Sequence, residues 1–161
     1  MPESRELGWA DYQALAAFRL ALRRFAAFSA EAARTAGLTP QQHQALLAIK
    51  GAAIPPPDGT EQLTVGEIAA HLLIRPHSAV ELIDRMAELG LVRRTGDAAD
   101  HRRVLVALAP RAEALLSELS AAHLHELAAI RPLLEGLLRQ LGPAEDQTLN
   151  RNSSTSPSRT T

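Results

Sequence analysis

Residues 63–110 read LTVGEIAAHLLIRPHSAVELIDRMAELGLVRRTGDAADHRRVLVALAP. Thr64 with Glu67 three residues on is a capping box, so a helix starts at residue 65 and is expected to run to about 73. Ile68, Leu72 and Leu73 would form its buried side. The chain breaks at Ile74-Arg75-Pro76, and Pro76 suits the first turn of a second helix over 76–89. Gly90 ends that helix. Leu91-Val92-Arg93-Arg94-Thr95 then reads as a strand, 96–101 as a polar turn, and Val104-Leu105-Val106-Ala107-Leu108 as a second strand.

Helix, short turn, helix and two-stranded hairpin is the order of a winged helix-turn-helix. In that arrangement the second helix brings its N-terminal end to base edges in the major groove, and the hairpin reaches the neighbouring backbone or minor groove. Val80, Ile83, Met86, Ala87 and Leu89 are expected to face the core. His77, Ser78, Glu81, Arg85 and Glu88 would lie on the other side, which an ordinary solvated helix face would also explain. The wing carries Arg93, Arg94, Arg102 and Arg103 around Asp97 and Asp100. A narrow minor groove attracts such arginines, and Asp100 can hold one by a bidentate pair.

Outward from this segment the pattern is helical. In a helix expected over 7–36, Leu15, Phe18, Leu22, Phe25, Ser29 and Ala32 follow the spacing of one stripe, and Gly37 ends it. All five aromatic residues (Trp9, Tyr12, Phe18, Phe25 and Phe28) fall on this helix. Thr39 and Pro40 open a short helix over 41–50, followed by a Pro-rich loop over 51–61. From Pro110, the series Leu116, His123, Ile130, Leu137 and Ser120, Leu127, Leu134, Leu141 repeat every seven residues. Pro132 interrupts them, so a kink or two helices meeting near 130–132 are expected. The stripes exceed what a small helical core covers, which points to a two-fold dimer. The expected organisation is an N-terminal dimerisation helix (1–36), a DNA-binding domain (37–109), C-terminal dimerisation helices (110–142) and a disordered tail (143–161). The fold class is mainly α with a small β-hairpin wing.

The formal net charge is -1, so bulk charge supplies no affinity for nucleic acid and any DNA binding must rest on placed side chains. Of 17 basic residues all but Lys50 are Arg, the residue suited to bidentate phosphate and guanine contacts. With Cys at 0, disulfides, thiolate metal sites and thiol redox sensing are excluded. The N-terminus lacks a signal-peptide pattern and no apolar run reaches the ~18 residues of a bilayer span, so the expectation is a cytoplasmic protein with no membrane partner.

The segment 63–110 resembles the MarR family of bacterial regulators. The likeness is carried by LTVGEIAAHL, by LIDRM followed by GLVRR, and by the D-x-x-D-x-R wing before a V-L-V strand; the preceding LTPQQHQALLAI resembles the family's second helix. The resemblance implies a homodimer held by the first and last helices and a palindromic double-stranded operator. It implies a DNA-facing set of Thr64, Arg75, His77, Ser78, Glu81, Arg85, Asp100, His101, Arg102 and Arg103. Two positions depart from the pattern. Glu81 stands where a basic or polar reader is common, and His101 where Arg is common. Glu81 can accept from cytosine N4, or pair with Arg85 four residues on. The resemblance further implies a transcriptional regulator, expected to be a repressor, that a small aromatic or anionic effector releases. Tyr12, Arg19, Arg23 and His43 are the candidate effector ligands.

Other readings remain open. A winged-helix module can bind protein instead of DNA. A metal-responsive regulator would use the histidines, but His123 and His125 point about 200° apart on a helix, which leaves Glu67 and His71 as a same-face pair. No metal site and no cofactor are expected. None of the phosphate-loop, dinucleotide, nucleophile-elbow or zinc-protease motifs occurs, so no enzyme activity is expected.

Overall fold

The computed structural model of the protein describes residues 7–52, 62–96 and 103–141. The order is α1 (Trp9–Thr35), α2 (Pro40–Ala52), β1 (Gln62–Thr64), α3 (Val65–Leu72), α4 (Pro76–Glu88), β2 (Val92–Gly96), β3 (Val104–Leu108) and α5 (Pro110–Leu141). By internal contacts the chain forms two compact units, Met1–Ala21 with Ile130–Thr161, and Leu22–Ala129. Both boundaries fall within α1 and α5.

Capping explains most of the helix limits. Asp11 accepts from the Gly8 N–H at 2.9 Å at the start of α1. Thr39 and Gln42 close a reciprocal box at the start of α2, with Gln42 N–H donating to Thr39 Oγ1 at 3.1 Å and Thr39 N–H to Gln42 Oε1 at 2.9 Å. Three helices end in the same closure. After α1, Leu38 N–H donates to Ala33 O and Gly37 N–H to Arg34 O; after α4, Leu91 N–H donates to Met86 O and Gly90 N–H to Ala87 O. The left-handed residues are Gly37 (φ 77) and Gly90 (φ 67), where a Cβ would be strained. After α3 the same pair of bonds runs from Ile74 to Ala69 and from Leu73 to Ala70, but the left-handed residue is Leu73 (φ 54). That side chain is 93% exposed, so Leu73 does not join the buried side of α3 as the sequence predicts. The left-handed turn rotates it out of the helical stripe.

Within Leu22–Ala129 one core is built around Leu46, Ile49, Ile68, Ile83, Met86 and Val106, all fully buried. Each such side chain contributes roughly 1.5–3 kcal/mol by leaving water. Ala33, Leu38, Ala112 and Leu116 extend it to α1 and α5. The sheet has three strands in the order β1-β3-β2, all antiparallel. The expected hairpin is β2–β3; the third strand, β1, pairs Leu63 with Val106.

Within the other unit, Ala14, Ala21 and Leu137 are buried, while Trp9, Tyr12, Leu15 and Phe18 are exposed. In the unit Leu22–Ala129, Leu22, expected on the same stripe, is exposed as well. An apolar groove of about 360 Å³ is lined by Ala14, Leu15, Phe18, Leu134, Leu137 and Leu138. In place of two helices meeting near 130–132, α5 is a single α-helix with Pro132 inside it. Proline removes one main-chain bond and crowds the carbonyl four residues back, a local cost that does not end this helix. No helix among the described residues is long and apolar enough to cross a membrane.

Candidate nucleic-acid interface

Thr64 ends β1 and caps α3. Glu67 N–H donates to Thr64 Oγ1 at 3.2 Å, and both the N–H and the hydroxyl of Thr64 donate to Glu67 Oε2 at 2.7 Å. Those bonds, from the Thr64 backbone first and its hydroxyl second, hold the Glu67 carboxyl below its usual value; Arg103, 4.0 Å away, and His71 add to the effect. Thr64 is therefore half-buried with its hydroxyl proton committed to Glu67.

The start of α4 is left open. Arg75 occupies the cap position in extended conformation and makes no side-chain cap, and Pro76 follows at the first helical position. The first main-chain bond is from Ala79 N–H to Arg75 O at 3.1 Å, so the N–H groups of His77 and Ser78 have no partner within the helix. Such donors, at the positive end of the helix dipole, suit a phosphate oxygen.

Ala79, Leu82, Ile83 and Met86 form the buried face of α4. Val80 and Leu89, expected in the core, are 44% and 53% exposed. The 100° step of the helix puts Val80 beside His77 and Leu89 past the end of α4. Arg75, His77, Glu81, Arg85 and Glu88 are exposed and Ser78 is half-buried. Glu81 and Arg85 form no ion pair, so the Glu81 carboxylate is uncommitted among the described residues.

The wing is tied to α4 and to β1. Arg94 Nη2 lies 2.6 Å from Asp84 Oδ1, joining β2 to the middle of α4. Thr95 Oγ1 donates to Gln62 Oε1 at 3.1 Å, spanning β3 from one edge strand to the other. Arg93 is exposed. Arg103, just before β3, faces Glu67. Asp100, His101 and Arg102, together with Asp97, lie outside the described residues, as do the loop of 53–61 and the tail from 142. Sequence reasoning missed Val80, which only the burial pattern exposes, and the Arg94–Asp84 pair, for which no local spacing gives a signal.

The effector candidates divide between the two units. Tyr12 and Arg19 belong to the unit with Met1–Ala21 and are exposed. In Leu22–Ala129, Arg23 is exposed while His43 is 3% exposed. His43 lies against His123, which is 9% exposed. Nδ1 of His123 is 2.6 Å from Leu119 O, which can only accept, so that nitrogen carries a proton; Nε2 is 2.8 Å from the Ser29 hydroxyl, from which it accepts when the ring is neutral. Phe25 and Phe28 meet the His123 ring edge-on. Burial first, and the neighbouring His123 second, hold His43 below its ordinary pKa. Among the described residues, no three of His, Cys, Asp or Glu gather where a metal ion would sit.

Residues 36–103 match the family model described as the MarR family. These residues form a MarR-family domain. The surrounding fold agrees. The crystal structure of AbsC, a MarR family transcriptional regulator from Streptomyces coelicolor, is similar at a TM-score of 0.61 and 16% identity, over 85% of this chain and 100% of that one. The YusO protein from Bacillus subtilis is similar at a TM-score of 0.58 and 19% identity, over 85% of this chain and 93% of that one. A mutant of MarR from E. coli, complexed with operator DNA, is similar at a TM-score of 0.56 and 22% identity, over 78% and 91%. Comparison with curated proteins gives no match. Helices α3 and α4 and strand β2 lie within the matched residues, and β3 follows directly after them to complete the two-stranded wing.

Proposed function

We propose that the chain is a dimeric, sequence-specific DNA-binding transcriptional regulator, a repressor released by a small effector. The observation that carries the reading is α4 itself. Its N-terminus is uncapped, its His77, Glu81 and Arg85 are exposed, and the arginine-bearing strand β2 is tied to the middle of the same helix by Arg94 and Asp84. The fold is that of MarR-family regulators, and one similar structure contains operator DNA. The DNA-facing set is Arg75, His77, Ser78, Glu81, Arg85 and Arg103 with Asp100, His101 and Arg102 of the wing, and Thr64 supports it as a helix cap.

Dimerisation is supported by the large apolar side chains left outside the single chain, Leu15, Phe18 and Leu22 on α1 and Leu138 on α5. Residues 1–36 and 110–142 are the dimerisation helices in this reading and 37–109 the DNA-binding domain. A two-fold pair places two α4 helices about 34–36 Å apart, one turn of a palindromic operator. An aromatic or anionic effector would act through Tyr12, Arg19, Arg23 and His43 by binding unequally to two spacings of those helices.

Operator selection from random duplexes at defined salt tests this reading. Affinity should fall steeply as salt rises, because phosphate contacts release counterions. Arg102→Ala should weaken the selected complex. A salt slope near zero would contradict a phosphate-dominated interface. The acidic residues Glu81, Asp84 and Glu88 on α4 favour the second reading, a protein-binding module; in that case no duplex is enriched.

A further inference from the structure

We propose that Val80 and Glu81 together read a thymine and a nearby cytosine in each half-site, Val80 through the thymine C5-methyl and Glu81 through the cytosine N4 amino group. The inference rests on the DNA-binding reading and adds the base chemistry that reading lacks.

The argument begins with charge. A carboxylate on the face of α4 that meets DNA is repelled by phosphate. Of the three acids on α4, Glu88 lies in the last turn, away from the N-terminal end, and the other two are placed differently. Asp84 is neutralised by Arg94 at 2.6 Å. Glu81 is exposed and makes neither an ion pair with Arg85 nor one with a wing arginine among the described residues. An acceptor-only group has one standard role at base edges in the major groove, which is to take a hydrogen bond from an exocyclic amine, above all cytosine N4.

Val80 supplies the other half. It is 44% exposed on a helix whose other aliphatic side chains within the first three turns, Ala79, Leu82 and Ile83, are 0%, 2% and 0% exposed. His77, Val80 and Glu81 stand at i, i+3 and i+4, so they form one surface patch about 5–6 Å across in the first two turns of α4. This is the end of the helix whose free His77 and Ser78 N–H groups suit a phosphate. The major groove offers an aliphatic side chain one apolar feature, the methyl group of thymine. With base pairs 3.4 Å apart along a strand, a patch of that width confines the thymine to within about two base pairs of the cytosine.

The test uses the full-length protein and its selected operator. Each thymine of a half-site is replaced in turn by deoxyuridine, which removes only the methyl group. At one position, affinity should fall about fourfold, the factor for one buried carbon. Val80→Ala should lose the same factor on the native operator and nothing further on the deoxyuridine operator. Glu81→Gln should move the preference at the neighbouring position from cytosine to adenine, which offers a glutamine both N6 and N7. Both side chains are exposed, so the variants should keep their fold, which circular dichroism checks. If specific binding persists but no deoxyuridine changes affinity by twofold, or if Val80→Ala remains methyl-sensitive, the inference is wrong and DNA binding stands. If no specific operator is enriched, the DNA-binding reading fails and takes this inference with it.

Discussion

The rings of His43 and His123 lie 4.7 Å apart, centroid to centroid, at an interplanar angle of 42°. The pair joins α2 to α5, and the Ser29 hydroxyl joins it to α1. Because the folded state lowers the pKa of His43, it binds that proton less readily than the unfolded chain does. The stabilisation is complete above the unfolded value of about 6.5 and is lost as pH falls below it. Thermal melts between pH 7.5 and 5.5 should show Tm falling with acidity, and His43→Gln should flatten that slope. An equal slope in the variant would assign the effect to other groups.

The ion pair between Arg94 and Asp84 is half-exposed on both sides, so its worth to stability is small. A double-mutant cycle with Arg94→Ala and Asp84→Ala should return a coupling of roughly 0.2–1 kcal/mol in urea unfolding. Its larger effect should be on DNA affinity, since the pair fixes the wing to α4. If either variant binds its operator as the parent does, the wing needs no such tether.

Leu73 stands where the closures after α1 and α4 use glycine. A left-handed L-residue costs roughly 1–2 kcal/mol. Glycine removes that strain but costs about 0.5–1 kcal/mol, because it has more freedom to lose on folding. With the side chain 93% exposed, nothing apolar is lost on truncation. Leu73→Gly should therefore stabilise by a few tenths to about 1 kcal/mol, a rise in Tm of a few degrees. Leu73→Ala, which keeps the strain, should show no such rise.

Phe18 and Leu15 are 39% and 51% exposed and line the apolar groove with Leu134 and Leu137. Phe18→Glu should convert a dimer to a monomer in sedimentation velocity at micromolar concentration, with the helical signal largely retained. A protein that is monomeric before the change would remove the basis for the dimer.

The features that sequence made legible are those encoded within a few neighbouring residues. Thr64 and Glu67, Pro76, Gly37 and Gly90 announce their helix limits by local chemistry, and the short apolar run Val104–Leu108 after a polar turn announces a strand. Other features depend on partners far along the chain. Three residues such as Gln62–Thr64 carry no periodicity, and β1 exists because β3 offers an edge. Val80 obeys the helical period as well as Ile83 does, and only the position of the core decides which is covered. Leu73 misleads because the signal for a left-handed closure is glycine. Within the candidate site, residue types on α4 were readable, whereas the Arg94–Asp84 tie and the free carboxylate of Glu81 required coordinates.

The order β1-β3-β2 has a consequence for life in a crowded solution. Sheet edges are where strangers add strands. Here the most apolar strand, β3, is enclosed on both sides. What remains open is a three-residue edge on β1 and the β2 edge, which carries Arg93 and Arg94. Neither is long or apolar enough to template a foreign strand, so the sheet does not invite fibre formation.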